Sequence, residues 1–270
     1  MKILILGVSG FIGGNLYKKL SEKATVYGLS RSKVALERCK TADFSKEFNI
    51  DKLFPNIKFD VVINLASVMA NSKNLQDLED LLIGNIKMTG NIIEALRSQP
   101  NSYLINFSST AVYPNITGIF TEASIVDPSK NTDALYGLSK FNSEVLFNYL
   151  LSEGQKVIHL RTSYVYGEGM DETRIHKMFE KELKAKNTIT IFGNGERMIP
   201  QVSISYLVEK VSFIIQNKPV GIKNLVEENI LLQDYAKRLV DKFGNEKSTL
   251  IFVEKGNRQK FQVESINHEK

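Results

Sequence analysis

The sequence has one cysteine in 270 residues, Cys39, so no disulfide can form within the chain. Met1 and Lys2 are not followed by the charged and then long apolar stretch of a secretion signal, so a reducing cytoplasm is the expected setting. No apolar run approaches the roughly 20 residues that cross a bilayer, which leaves peripheral association as the only expected kind of membrane contact. Charge lacks a dominant sign or block: 35 basic and 30 acidic residues give a net +5, compatible with phosphorylated small molecules without demanding them. No nucleic-acid motif, internal repeat, low-complexity tract or metal site is read from the chain.

What is present begins at the N-terminus. The apolar run Ile3-Leu4-Ile5-Leu6 is short enough to be a buried strand, and Phe11, Leu16, Tyr17 and Leu20 recur at helical spacing. Between them stand Gly7, Gly10, Gly13 and Gly14. Glycines at a strand-to-helix turn let the backbone turn sharply and bring helix N-terminal N–H groups up to an anion, most simply a dinucleotide pyrophosphate. Gly7, Ser9, Gly10, Phe11, Ile12 and Gly13 are the candidate contacts. A second strand, Ala24 to Leu29, ends in Ser30-Arg31-Ser32, where a dinucleotide fold reads the adenine ribose. No carboxylate stands there to accept from the 2′-OH of NAD. Arg31 offers instead a planar, permanently charged fork for a 2′-phosphate, flanked by two hydroxyls, which favours NADP.

Further on, Asp43-Phe44 lies in a polar loop, and residues 59–66 read as a buried strand whose small carboxyl-terminal end lets a cofactor lie close to the backbone. The spacing predicts a helix over 75–97, with Asn85 on or near its apolar face, where it needs a partner. A fourth strand, 103–107, runs into Ser108-Ser109-Thr110-Ala111-Val112-Tyr113-Pro114. Strand and helix alternate as far as Gly167 and the alternation breaks down beyond it, so the expected fold class is α/β, a Rossmann-type doubly wound parallel sheet with a small C-terminal substrate-binding lobe. The dinucleotide-binding domain is expected over 1–166 with 204–228 returning to it, and the lobe over 167–203 and 229–270. A helix opens near Ala134 with Phe141, Val145, Leu146, Tyr149 and Leu150 expected to face inward, and the polar tail from Lys255 is expected to be mobile.

Tyr136 and Lys140 are four apart on that helix and share a face. A free tyrosine, with its pKa near 10, is a poor proton donor or acceptor at neutral pH. A neighbouring ammonium favours the phenolate, and a serine hydroxyl can hold a substrate oxygen, so the set suits proton transfer to a carbonyl or from an alcohol while a nicotinamide carries hydride.

With these residues in hand, the chain resembles the extended short-chain dehydrogenase/reductases, the nucleotide-sugar epimerase/dehydratase group, over nearly its whole length. The matching motifs are Gly7, Gly10 and Gly13, Asp43, Asn64-Leu65-Ala66-Ser67, the helix segment from Asn85 to Asn91, Ser108 to Tyr113, Tyr136 with Lys140, and Arg161 to Gly167. The resemblance implies Tyr136 as general acid/base, Lys140 as the group that lowers its pKa and binds the nicotinamide ribose, and Ser109 as the holder of the substrate oxygen. Thr110 or Ser108 takes Ser109's part if the loop register slips. It further implies cofactor contacts from Asp43, Phe44, Leu65, Ala66, Ser67, Asn85, Ser163 and Val165. Substrate contacts are implied from Ser108, Ser109, Thr110, Tyr113 and Arg197, with Arg161 a second candidate for a diphosphate, and a homodimer through the helices near Leu78 and Phe141.

Departures bear on the substrate. After Arg197 the sequence reads Met198-Ile199-Pro200-Gln201-Val202-Ser203, without the acidic residues common in the group, Tyr164 stands where asparagine is common, and Pro114 replaces a glycine. Thr110-Ala111 supplies no acidic pair, which disfavours a dehydratase. The expected activity is NADP-dependent reduction of a keto group of a sugar, foremost a 4-keto group on a nucleotide-activated 6-deoxysugar. The alternatives are an NAD-dependent epimerase and, from another class, a non-catalytic NADP-binding regulator.

Overall fold

The computed structural model describes residues 1–69, 74–152, 154–256 and 258–265. The chain forms two compact units: Met1–Pro114, Ile125–Thr162 and Leu207–Lys223 make the first, and Asn115–Ser124, Ser163–Tyr206 and the chain from Asn224 onward make the second. In chain order come β1 (Lys2–Leu6), α1 (Phe11–Leu20), β2 (Thr25–Ser30), β3 (Cys39–Thr41), α2 (Ile50–Leu53), β4 (Val61–Asn64), α3 (Leu75–Leu96) and β5 (Tyr103–Ser109). They continue as β6 (Gly118–Phe120), α4 (Ala134–Ser152), β7 (Val157–Thr162), β8 (Tyr164–Tyr166), α5 (Ile175–Lys186), β9 (Thr188–Phe192) and β10 (Met198–Ser203). The chain closes with α6 (Ile204–Asn217), β11 (Gly221–Leu225), β12 (Glu228–Leu231), α7 (Leu232–Phe243), β13 (Thr249–Val253) and β14 (Phe261–Val263).

The first unit is built on a seven-stranded sheet of order β11-β7-β5-β4-β1-β2-β3, with parallel registers from β7 through to β3. Such a sheet is covered on both faces, and its strands accordingly read as unbroken apolar runs: Ile3 to Leu6 and Val61 to Ile63 have no exposed surface. α1 buries Leu16, Tyr17 and Leu20, and α3 buries Leu81, Met88, Ile92 and Leu96. From β1 the chain first builds outward to β2 and β3, then returns to the other side of β1 with β4 and β5. The order therefore reverses between β1 and β4, and ligands of doubly wound sheets gather beyond the carboxyl ends at such a reversal.

In the second unit β10 pairs parallel to β8 and antiparallel to β12, β13 pairs with β9, and β14 pairs with β6. Phe179 and Leu183 of α5, Ile189 and Ile191 of β9, and Tyr235 and Leu239 of α7 share one core.

Two expectations are corrected. Phe261 and Val263 are buried in β14, so the chain after Lys255 is anchored as far as that strand, while 266–270 lie outside the described residues. Val145 and Tyr149 of α4 do not face inward: they are 54% and 63% exposed. No helix among the described residues is long and apolar enough to cross a membrane.

Candidate active site

The turn after β1 is held by its own backbone. Gly7 sits at φ +92, and the N–H groups of Gly7 and Val8 both donate to the Leu29 carbonyl at the end of β2, at 2.8 and 3.2 Å. A Cβ on Gly7 would stand 3.1 Å from the Ala66 nitrogen, and one on Gly13 only 2.3 Å from the Gly7 carbonyl oxygen. Glycine at 13 is what lets α1 close onto the turn. The N-cap of α1 is Gly10, with no side-chain cap and no acidic residue in the first turn, while Lys18 and Lys19 lie in the last. Ser9 and Gly10 are exposed, and Phe11 and Ile12 half-buried. The N-terminal amides of a ten-residue helix thus face an open cradle with the partial positive charge of the helix end behind them. A pyrophosphate fits this arrangement.

At the end of β2, Ser30 is buried and its hydroxyl donates to the Ser32 carbonyl at 2.6 Å, a turn that leaves Arg31 and Ser32 exposed. The Asp43 carboxylate accepts from the Ser45 hydroxyl at 2.7 Å and the Ser45 N–H at 3.0 Å. Those bonds, with smaller contributions from Lys46 and Arg31, hold its pKa below the usual carboxylate range. The Phe44 ring is buried against Phe48, and its carbonyl accepts from the Asn91 side chain.

The loop after β4 is organised by two buried asparagines. Asn64 donates to the Asn106 side chain at 3.0 Å and accepts from the Ala66 N–H at 3.2 Å. Asn85 of α3 accepts from the Val68 N–H at 2.7 Å and from the Ser67 hydroxyl at 3.4 Å, and donates to the Val68 carbonyl at 3.0 Å and to Ser139 at 3.3 Å. Its amide is fully used, so Asn85 clamps the half-buried 65–68 segment rather than touching a cofactor. Residues 64, 106 and 159 stand side by side on β4, β5 and β7, and the His159 ring meets the Asn106 and Asn148 side chains. Burial pushes the pKa of His159 down to about 4, leaving it neutral.

α4 carries the tyrosine and lysine. The Lys140 ammonium is buried 5.6 Å from the centre of the Tyr136 ring and donates to the Phe107 carbonyl of β5 at 3.2 Å. Burial lowers its pKa to about 8. Tyr136 itself is half-buried. Beside it, Gly137 is a residue that reading the sequence missed. A Cβ there would stand 2.1 Å from the Ala111 carbonyl oxygen, so only glycine lets the first turn of α4 abut the 110–112 turn at the end of β5. Its one signal is a glycine inside the first turn of a helix, a position where it otherwise only weakens the helix.

Ser109 caps the 110–112 turn: its Oγ accepts from the Ala111 N–H at 3.1 Å, which leaves the hydroxyl hydrogen to donate elsewhere. Ser108 and Tyr113 correct the expectation of substrate contacts. Both are buried, Ser108 donating to Glu144 at 2.5 Å and the Tyr113 hydroxyl accepting from Arg161 at 2.9 Å. Arg161 pairs with Glu144 through Nε at 3.0 Å and Nη2 at 2.8 Å, both side chains almost wholly buried, and so is not a diphosphate ligand. Thr110 is buried within the turn.

Ser163, Val165 and Arg197 belong to the second unit. The N–H and hydroxyl of Ser163 both donate to the Leu225 carbonyl at 3.1 Å; Val165 pairs with Val202, and Arg197 is half-buried, its carbonyl accepting from the Leu232 N–H. No cluster of His, Cys, Asp and Glu among the described residues is arranged to hold a metal ion.

The model of the NAD dependent epimerase/dehydratase family matches residues 3–225. Protein CapI of Staphylococcus aureus is 27% identical over 241 residues, covering 82% of this chain and 71% of its own length. An uncharacterized UDP-glucose epimerase of Bacillus subtilis, YtcB, is 24% identical over 287 residues, covering 94% of this chain and 86% of its own. Among solved structures, UDP-glucuronic acid 4-epimerase from Bacillus cereus in complex with NAD superposes with a TM-score of 0.81 at 22% identity, over 98% of this chain and 90% of that one.

Proposed function

The chain belongs to the NAD-dependent epimerase/dehydratase family, sugar-modifying enzymes of the extended short-chain dehydrogenase/reductase type, and from that premise we propose that it moves hydride and a proton at a carbinol or keto carbon of a nucleotide-activated sugar. The observation that carries the reading is the close packing of α4 on the end of β5 at Gly137, which sets Tyr136 and Lys140 beside the turn that Ser109 caps. In reduction, the Tyr136 hydroxyl gives its proton to the substrate oxygen; in oxidation, its phenolate takes one. The Lys140 ammonium stabilises the phenolate, and the Ser109 hydroxyl donates to the same substrate oxygen. When bound, a nicotinamide supplies or accepts the hydride. Gly7, Gly10 and Gly13 and the uncapped start of α1 would hold its pyrophosphate, and Asp43 and Arg31 would meet its adenosine end.

Arg31, exposed and with no ribose-reading carboxylate at the end of β2, favours NADP and with it net reduction of a keto sugar such as a 4-keto-6-deoxysugar. A second reading, epimerisation with NAD retained between hydride removal and return, is favoured by the names of the relatives above. The deciding experiment identifies nucleotide released from the denatured purified protein and follows NADPH and NADH oxidation with a panel of nucleotide sugars and keto sugars. Consumption of NADPH with a keto sugar supports reduction; copurified NAD with turnover of a nucleotide sugar in the absence of added cofactor supports epimerisation. No turnover in either format would sink both.

A homodimer formed through α3 and α4 belongs to the same proposal. Ile83 and Ile86 of α3 and Leu138, Val145 and Tyr149 of α4 leave apolar surface exposed on two helices that pack together. The cytoplasm is the proposed setting.

A further inference from the structure

Glu144 is a carboxylate that the proton transfer does not use, yet it is 2% exposed and ties α4 to both β5 and β7. It follows Tyr136 and Lys140 at the same four-residue step, so the three share one face of α4. Below it, Ser108 and Arg161 are cross-strand partners on β5 and β7. Oε1 of Glu144 receives the Ser108 hydroxyl at 2.5 Å and Arg161 Nε at 3.0 Å, and Oε2 receives Arg161 Nη2 at 2.8 Å. The third edge of the guanidinium donates to the Tyr113 hydroxyl at 2.9 Å, and the cation lies 5.0 Å from the centre of that ring. One turn earlier on α4, Lys140 donates to Phe107.

α4 thus grips two consecutive residues of β5, Phe107 and Ser108, just before Ser109, and through Arg161 it grips Tyr113 at the far end of the 110–112 turn. A buried ion pair gains little stability over apolar residues of the same volume, but its hydrogen bonds are directional in a way that apolar packing is not. We propose that Glu144, with Ser108 and Arg161, is a positioning network that sets the height of Ser109 against Tyr136. The inference rests on the functional reading above only for its kinetic consequence.

The experiment uses Ser108→Ala, which removes one bond and leaves the ion pair, Glu144→Gln, and the double variant Glu144→Met/Arg161→Met, which leaves no unpaired buried charge. Each is measured for kcat and KM with the nucleotide sugar the wild type turns over, for nicotinamide nucleotide affinity, and for amide hydrogen exchange. The expected result is a fall in kcat of about ten- to a hundredfold with KM and nucleotide affinity within about twofold. Exchange should quicken at residues 109–113 and stay unchanged in β1 and α1, and kcat should stay low in the folded double variant. Unchanged kcat and exchange in Ser108→Ala, or full recovery of kcat in the double variant, would overturn the proposal. A wild type without turnover on any nucleotide sugar counts against the functional reading instead, and unchanged exchange at 109–113 would then be what overturns the network.

Discussion

Lys140 holds its ammonium in a buried place, with the Phe107 carbonyl as acceptor at 3.2 Å and a pKa lowered to about 8 by that burial. Below pH 8 the lysine is charged in both folded and unfolded chains, and the full cost of burying the charge is present. Between pH 8 and the unfolded value near 10.5, the unfolded chain binds the extra proton, so this residue's contribution to stability rises with pH. Lys140→Met should therefore stabilise the fold at pH 7, by up to about 3 kcal/mol, with the advantage shrinking between pH 8 and 10.5. Chemical denaturation of both proteins across that range checks it, and an advantage independent of pH would contradict it. Gly137→Ala is a test of geometry: with the Ala111 carbonyl oxygen 2.1 Å from the new Cβ, helix or turn must shift, at a cost of about 1–3 kcal/mol and a fall in turnover larger than any change in cofactor affinity. Tyr136, Lys140 and the glycines of the first turn were legible in the sequence because their chemistry or backbone freedom depends on local spacing. Gly137, Glu144 and the clamp by Asn85 were not, because their meaning lies in partners on other elements, 17 to 54 residues away, as with Glu144 and Ser108, for which the separation is 36.

At the level of elements, α3 and α4 show what periodicity can and cannot say. Helical spacing marks Val145 and Tyr149 as part of an apolar stripe, but a helix with apolar residues on two sides presents the same composition whether the second side meets its own chain or another. Here one side of α4 buries Phe147 and Leu150 and the other leaves Val145 and Tyr149 exposed. If that second side is a dimer face, Val145→Glu combined with Ile83→Glu should yield a monomer by light scattering with a melting temperature shifted by no more than a few degrees under dilute conditions. A wild type that is already monomeric would refute the dimer. Strand length decided legibility as well. β1, β4 and β5 have apolar runs that announce a buried parallel sheet, whereas three-residue strands such as β6, β8 and β14 have too few positions for any alternation to show.

For the molecule as a whole, the alternating pattern of the first unit followed from its sequence because each strand pairs with a neighbour specified by the right-handed crossover rule and the apolar runs. The second unit obeys no such rule: β9 pairs with β13, and β6 with β14, across long stretches of chain. That unit was for this reason the least legible part of the chain. Tyr136→Phe is the most direct test of proton transfer by Tyr136 coupled to hydride transfer on a nucleotide sugar. Turnover by the variant should fall by about a hundredfold or more, the range for loss of a positioned acid/base, while nicotinamide nucleotide affinity by calorimetry stays that of the wild type. Turnover retained within a few-fold, or cofactor affinity lost in the same proportion as turnover, would contradict it.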